Sequence, residues 1–480
     1  MRNYPYLRKE FFRAALVLIL SVLLMKYSNG YGFIVVAIYA LQALVRDKPA
    51  SLFYSLTLTL TMMVANTFFV PKDVVFFTIQ RTMLVIIGLF TSIKLFGGTK
   101  SKLVSPFMGM FIYLFYMLFS SLDGWMPIIS LMKLLLFGII YMAYSGMSNL
   151  IITDRYVNGP IIRSMFLTIA AFFIIGSLLL IPFPAISQMR YDEIESGRVV
   201  VSLFKGMSMH SQALGPIVSC IFVLLFADMI FSIGKFDLFY VLMMVCCPVL
   251  IYKTSSRTAL GAAFSGIMFS LLLFMKNRNV VAKWRGKVLS VSILIAICLS
   301  VVFVFKADFR KDFNRYLVKS TDAENAIVSF ETVSASRWGL VEEQWLNYKQ
   351  SPLIGNGFQV SPEMIGMKIS GITSLLSAPV EKGVWLSAVL EEGGAIGFIL
   401  LLVLIVSTFS SLNRQRAYIC MAVFFSMLVS NLGEFSMFAM SGVGGFYWGL
   451  VFVALILDSL RIKEEQLRMN IVDGVPLAWR

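Results

Sequence analysis

The residues best able to do chemistry in this chain stand at the ends of its apolar runs. Lys253-Thr254-Ser255-Ser256-Arg257-Thr258 lies between two of them. Arg190, Arg198 and Lys205, with Asp192, Glu193 and Glu195, follow an earlier run, and Met209-His210-Ser211-Gln212 opens the next. Residues 306–384 hold nine Lys or Arg and nine Asp or Glu, among them Arg337, Glu381 and Lys382; Glu392 and Glu434 flank later runs. Arginine offers a planar, permanently charged set of donors that suits anions. A half-buried carboxylate can have a raised pKa that suits proton exchange. Each group also has a plainer reading. Arg190 and Arg198 can pair with the acids beside them, and Arg257 can snorkel from a span end. Arg337 can be an exposed residue near a helix start, and Glu381 can bridge to Lys382. Glu392 can orient helices, and His210, the one histidine, can be a hydrogen-bonded structural residue. Cys220, Cys246, Cys247, Cys298 and Cys420 all lie in apolar runs without metal-ligand spacing and read as small hydrophobes. The sequence calls for no metal and no cofactor.

What must position these residues follows from composition. The chain has 480 residues, 58% hydrophobic and 14% charged, with a mean hydropathy of +0.82. Soluble domains carry about 25% charged residues, so a soluble globule is excluded and the expected class is an all-α polytopic transmembrane bundle. Runs of about 17 to 25 apolar residues cross the hydrocarbon core. Fourteen are found, at residues 11–27, 31–45, 52–70, 74–95, 104–121, 126–147, 161–182, 209–232, 237–252, 259–275, 288–305, 385–409, 416–432 and 438–458. The basic N-terminus has no small-residue cleavage site after its apolar run and reads as a retained first span. This organises the chain into N-terminal spans (1–183), middle spans with Arg-bearing loops (184–305), one large loop (306–384), C-terminal spans (385–460) and a tail (461–480).

The net charge of +15 would suggest nucleic acid in a soluble protein. Here it reflects positive cytoplasmic loops. The N-terminal tail carries Arg2, Arg8, Lys9 and Arg13, and every second loop after it is basic, as at Lys276, Arg278, Lys283, Arg285 and Lys287. Both termini are therefore expected in the cytoplasm, with residues 184–207, 253–258 and 306–384 outside. A short outer loop bearing Lys253 and Arg257 runs against the charge rule, which marks it as functional.

Within the large loop, charge alternates with Phe309, Phe313 and Tyr316 over residues 306–320, suggesting a surface helix. Ser336 can cap a second helix from Arg337 to about Gln350, with Trp338, Val341, Trp345 and Tyr348 forming an apolar stripe. Pro352 stops it, and Gly355 and Gly357 make a turn. The pattern suits an amphipathic helix with aromatic anchors. Residues 361–380, rich in Pro and Gly and poor in charge, read as a flap beside a site.

Three motifs, in order, resemble the O-antigen ligase and Wzy-type polysaccharide polymerase family over roughly residues 200–450. They are Thr254-Ser255-Ser256-Arg257-Thr258-Ala259-Leu260-Gly261; Ser336-Arg337-Trp338 followed by Pro352-Leu353-Ile354-Gly355-Asn356-Gly357-Phe358; and Glu392-Gly393-Gly394-Ala395-Ile396-Gly397. The resemblance implies a bacterial inner-membrane glycosyltransferase without a metal, taking a polyprenyl-pyrophosphate-linked oligosaccharide as donor on the outer face. It implies Arg257 and Arg337 as a pyrophosphate clamp, with Arg190, Arg198, His210, Lys382, Glu392 and Glu434 as substrate contacts. It also leaves room for a chain-length regulator as a partner. Family ligases carry a histidine before the third motif, where this chain reads Val380-Glu381-Lys382-Gly383-Val384-Trp385. That departure leans toward a polymerase, with Glu381 as the base. The alternatives are a ligase passing glycan to a lipid or protein, and a lipid-linked oligosaccharide flippase or other transporter. A transporter would place paired charges at mid-membrane, whereas the spans here are almost uncharged, Lys133 being an exception.

Overall fold

Backbone polar groups cannot stay bare in lipid, so the apolar runs must close their hydrogen bonds within themselves as helices. The computed structural model describes residues 5–27, 30–97, 105–107, 109–153, 155–191, 201–231, 238–276, 330–362, 364, 382–433, 435–440 and 442–472. Its helices are α1 (Pro5–Tyr27), α2 (Tyr31–Val45), α3 (Pro49–Val64), α4 (Val74–Gly97), α5 (Gly109–Leu122), α6 (Pro127–Thr153), α7 (Arg155–Leu179), a single turn α8 (Pro184–Ser187), α9 (Ser211–Phe231), α10 (Leu238–Lys253), α11 (Arg257–Lys276), α12 (Phe330–Tyr348), α13 (Trp385–Arg414), α14 (Tyr418–Asn431) and α15 (Val443–Val472). Thirteen of the fourteen apolar runs coincide with a helix; the run at 288–305 and the expected surface helix at 306–320 lie outside the described residues. Seven helices are long and apolar enough to cross a membrane by length and composition, and five shorter apolar helices accompany them. The protein is a multi-pass membrane protein.

The bundle is built around α9, which is apolar on all sides and buried along its length except at Gln212, as expected of a helix surrounded by others. It packs on α7, α10, α11, α14 and α15. Small residues permit the closest approaches: a Cβ on Gly266 of α11 would stand 2.6 Å from Val223 of α9 and 3.0 Å from Ser426 of α14. Beside this core, Trp448 meets Tyr141 with ring centroids 5.1 Å apart and gives its indole N–H to Met437 O at 3.0 Å.

The structure corrects the expected boundaries in three places. The run expected at 52–70 leaves the helix after Val64 because its next residues bond elsewhere: Met209 N donates to Val64 O (2.8 Å) and Asn66 N to Met207 O (2.8 Å). The all-α expectation omitted a two-stranded antiparallel hairpin, β1 (Gln188–Tyr191) with β2 (Val201–Phe204), registering Gln188 with Phe204. The helix expected from Arg337 begins at Phe330, so Ser336 lies inside it and cannot cap it.

Candidate active site at the loop face

One end of the bundle gathers the ends of α3, α5, α9, α10, α13 and α14 with α12 and the hairpin. This loop face carries the three motifs, and their geometry follows from a break in α13. Gly394 sits at φ 62°, ψ −168°, a conformation open essentially to glycine alone. It interrupts the helix ladder, and the turn after α12 supplies the missing partners. Asn356 N donates to Glu391 O (2.9 Å), Gly357 N to Glu392 O (3.0 Å), Ala395 N to Pro352 O (2.8 Å) and Ile396 N to Leu353 O (3.2 Å). The approach is too close for side chains: a Cβ on Gly355 would fall 2.3 Å from Glu392 O, and one on Gly394 2.4 Å from the Leu353 carbonyl carbon. The Pro-Leu-Ile-Gly-Asn-Gly turn and the Glu-Gly-Gly-Ala-Ile-Gly segment are thus two halves of one joint. Tyr116 and Ser120 of α5 complete it, donating to Gly393 O (2.7 Å) and Glu392 O (2.9 Å).

A sealed ion cluster lies directly behind the joint. Lys382 Nζ is 3.0 Å from Glu391 Oε2 and 2.9 Å from Glu392 Oε1, and it donates to Val360 O at 2.6 Å. All three side chains are buried. Burial alone would lower the Lys382 pKa; the Glu392 and Glu391 carboxylates outweigh it and raise the pKa above the usual lysine value. Lys133 of α6 lies within electrostatic reach of Glu392 and Lys382 and donates to Gln359 O at 2.7 Å. α12 joins the cluster through its polar side: Asn347 Nδ2 donates to Glu391 Oε1 (2.8 Å), and Gln344 Nε2 donates to Lys382 O. A lysine with this much negative charge at hand is a fixed cation. It holds two carboxylates and two chain segments together and has no vacancy for accepting a proton.

Arg257 is placed differently. It is the first residue of α11, half-buried at the rim. Ser256 Oγ accepts from Ala259 N (3.4 Å), and Leu260 N donates to Ser256 O (3.2 Å), so Ser256 caps the helix. A helix N-terminus presents backbone N–H groups and the positive end of the helix dipole; Arg257 adds a guanidinium to both. The neighbouring segment ties Arg257 to the cluster. Gly433 packs so tightly on Thr258 that a Cβ there would lie 2.0 Å from its methyl carbon, and Phe435 N donates to Gly383 O at 2.8 Å. Asn431 Oδ1 fixes this segment by accepting from Ser436 N (2.8 Å) and Met437 N (2.7 Å).

Of the other expected site residues, His210 is half-buried ahead of α9, and its Nδ1 accepts from Gln212 N at 3.1 Å, the arrangement of a helix-capping residue. Lys382 and Glu392 are paired with each other inside the protein. Arg190 lies in β1 and Arg337 in α12 by backbone; residue 337 precedes Gln344 by seven, at a similar angle and about 10 Å along the axis. Arg198, Glu381 and Glu434 lie outside the described residues, although Lys382, Gly433 and Phe435 beside them are described. Sequence reasoning missed Glu391, Gln344 and Asn347. The available signals were the paired acids at 391–392 and the polar residues at 344 and 347, which fall three apart on one helix face.

Residues 240–376 match the model of the O-antigen ligase family. The chain carries an O-antigen ligase family domain. No curated protein matches the chain. The matched stretch begins in α10 and contains Arg257, α12 and the glycine turn. The family domain thus supplies one half of the joint, while α13, outside the match, supplies the other.

Proposed function

We propose that the protein is a glycan polymerase of the outer face of the cytoplasmic membrane, joining oligosaccharide units carried on polyprenyl pyrophosphate. The observation that carries this reading is Arg257 at the capped N-terminus of α11, at the rim, inside the stretch matching the family. In the reaction, the bond between the donor's anomeric carbon and its pyrophosphate oxygen breaks, and the electron pair leaves with the pyrophosphate. The acceptor hydroxyl oxygen bonds to that carbon and gives its proton to a base. Arg257 and the α11 N-terminus bind the departing pyrophosphate, where preorganised donors act on developing charge; Arg337 is the second clamp residue. Glu381 is the base, directly preceding Lys382. Arg190 and Arg198 are assigned to acceptor glycan, and Glu434, between Gly433 and Phe435, to the donor sugar.

A ligase is the second reading, favoured by the description of the family whose model matches. The polymerase is preferred because the position near the ligase histidine is taken by Lys382, a buried cation paired with two carboxylates. The deciding experiment is deletion of the gene and gel analysis of surface glycan. Single units still attached to the lipid core identify a polymerase; loss of all attachment identifies a ligase; accumulation of the lipid-linked donor on the cytoplasmic side identifies a flippase. Purified enzyme should retain activity in EDTA, and strict dependence on added metal would overturn the Arg-based clamp. A cysteine at position 320 should label from outside and one at 279 should not, as cytoplasmic termini require.

A further inference from the structure

The helix carrying Arg337 attaches to the protein by its polar residues, Gln344 and Asn347, and turns aromatic and aliphatic residues outward. Trp338 is 63% exposed and Leu346 55%, and Trp345 is exposed beside them. The turn that follows continues the surface with Leu353, 64% exposed, and Ile354. This apolar patch meets the lipid-facing stripe of α13. Leu353 accepts from the N–H of Ile396, and Ile396 begins an exposed row that runs on through Ile399, Val403 and Val406. The level of the patch follows from α13 itself. A crossing needs about 20 predominantly apolar residues; Ala395 to Asn413 carries no Asp, Glu, Lys or Arg, whereas Glu391 and Glu392 come just before Gly394, so the break at Gly394 marks the level where α13 enters hydrocarbon. Glu342 on α12 and Lys349 just after its end are both exposed. Charges on long side chains among aromatic residues suit the headgroup layer, where the heads reach water and the stems and rings lie in lipid.

We infer that α12 and the turn after it form an interfacial anchor, lying in the headgroup layer of the bilayer with Trp345, Leu346, Leu353 and Ile354 toward the acyl chains. The bilayer is the occupant of this patch because the patch is continuous with the exposed apolar row of α13. The inference stands apart from the transfer reaction: it concerns where the segment sits, whatever the site does.

The test is site-directed spin labelling of the full chain in nanodiscs, with the five native cysteines replaced by alanine. Single cysteines are placed at 346, 353, 354 and, as the lipid standard, at 403. These positions are surface-exposed, so labels there spare the core. Collisions are measured with oxygen, which concentrates in lipid, and with a polar nickel chelate, which stays in water. The expected result is an oxygen-to-nickel ratio at 346, 353 and 354 on the lipid side, approaching that at 403, and highest at 353. Ratios typical of a fully hydrated loop would overturn the inference. So would labels that neither reagent reaches, since the patch would then be covered by protein.

Discussion

Two sets of charges share the loop face and are treated in opposite ways. Lys382, Glu391 and Glu392 are sealed behind the α13 joint, with the one lysine paired to both carboxylates. Arg257 stands at the rim, half-buried, at the start of a helix whose dipole repels it. A cation at a helix N-terminus does not gain from the helix dipole; in the proposed function Arg257 stands there for the departing pyrophosphate. The sealed cluster has the reverse logic. Desolvating three charges rarely adds net stability, but removing one partner is costly, so the cluster enforces one arrangement of the segments it joins. Buried charge at this face holds the segments together, and in the proposed function rim charge serves the ligand.

The largest test of that contrast is Lys382→Met. It strands two buried carboxylates and should cost about 3–5 kcal/mol of stability, read as a lower melting temperature in detergent. Neutralising all three, with Glu391→Gln and Glu392→Gln added, should recover most of the loss; a single variant as stable as wild type would erase the distinction between sealed and rim charge. Arg257→Ala should do the opposite. Glycan transfer should fall by about 10²–10³, while stability stays within about 0.5 kcal/mol. Arg257→Lys should also be poor, because a point charge lacks the planar fork. Next is Gly394→Ala, which forces a side chain into the Leu353 carbonyl and a conformation costing about 1–3 kcal/mol; melting temperature should drop and transfer should fall with the displaced turn. The smallest effect is a pH dependence. Because the Lys382 pKa is raised in the folded protein, its contribution is complete below the unfolded value of about 10.4 and is lost only as pH rises through the folded pKa. Stability of the wild type should show no Lys382 step between about pH 6 and 9. Lys382→His should add one near a pKa of about 6.5, with stability falling as pH rises through it. A flat profile in that variant would mean that the charge at 382 is not what the carboxylates need.

Most of the fold was legible because span length and apolar composition are set by the bilayer, a solvent of fixed thickness. The runs at 31–45, 74–95 and 237–252 recur as α2, α4 and α10 almost residue for residue. The hairpin was not legible: Gln188–Tyr191 and Val201–Phe204 are short, and what pairs them is their position between α8 and α9. Arg257 stands out in the sequence because its charge runs against the expected loop pattern, and the structure places it at the start of α11. At α12 the aromatic stripe reads as a surface anchor, and Trp338 and Trp345 are exposed. That Gln344 and Asn347 face the protein was not legible, because the partner there is an ion cluster that no local pattern announces. Glu392 and Lys382 were seen as possible ligands for a substrate. Their mutual pairing depends on Gly394 bending the chain, and a lone glycine does not reveal where its neighbours will go.

The enclosure of α9 bears on how the protein is made. From Ala213 to Phe231 every residue is buried, yet four of the five helices that wall it in, α10, α11, α14 and α15, are synthesised after it. A newly inserted α9 must spend part of biosynthesis bathed in lipid and then trade those contacts for protein ones. Water supplies no force for that exchange, so it has to come from fit, at positions such as Gly215 and Gly266. Nascent chains arrested before α14 should therefore hold α9 in the membrane but leave it open on one side, a natural client for an insertase or membrane chaperone.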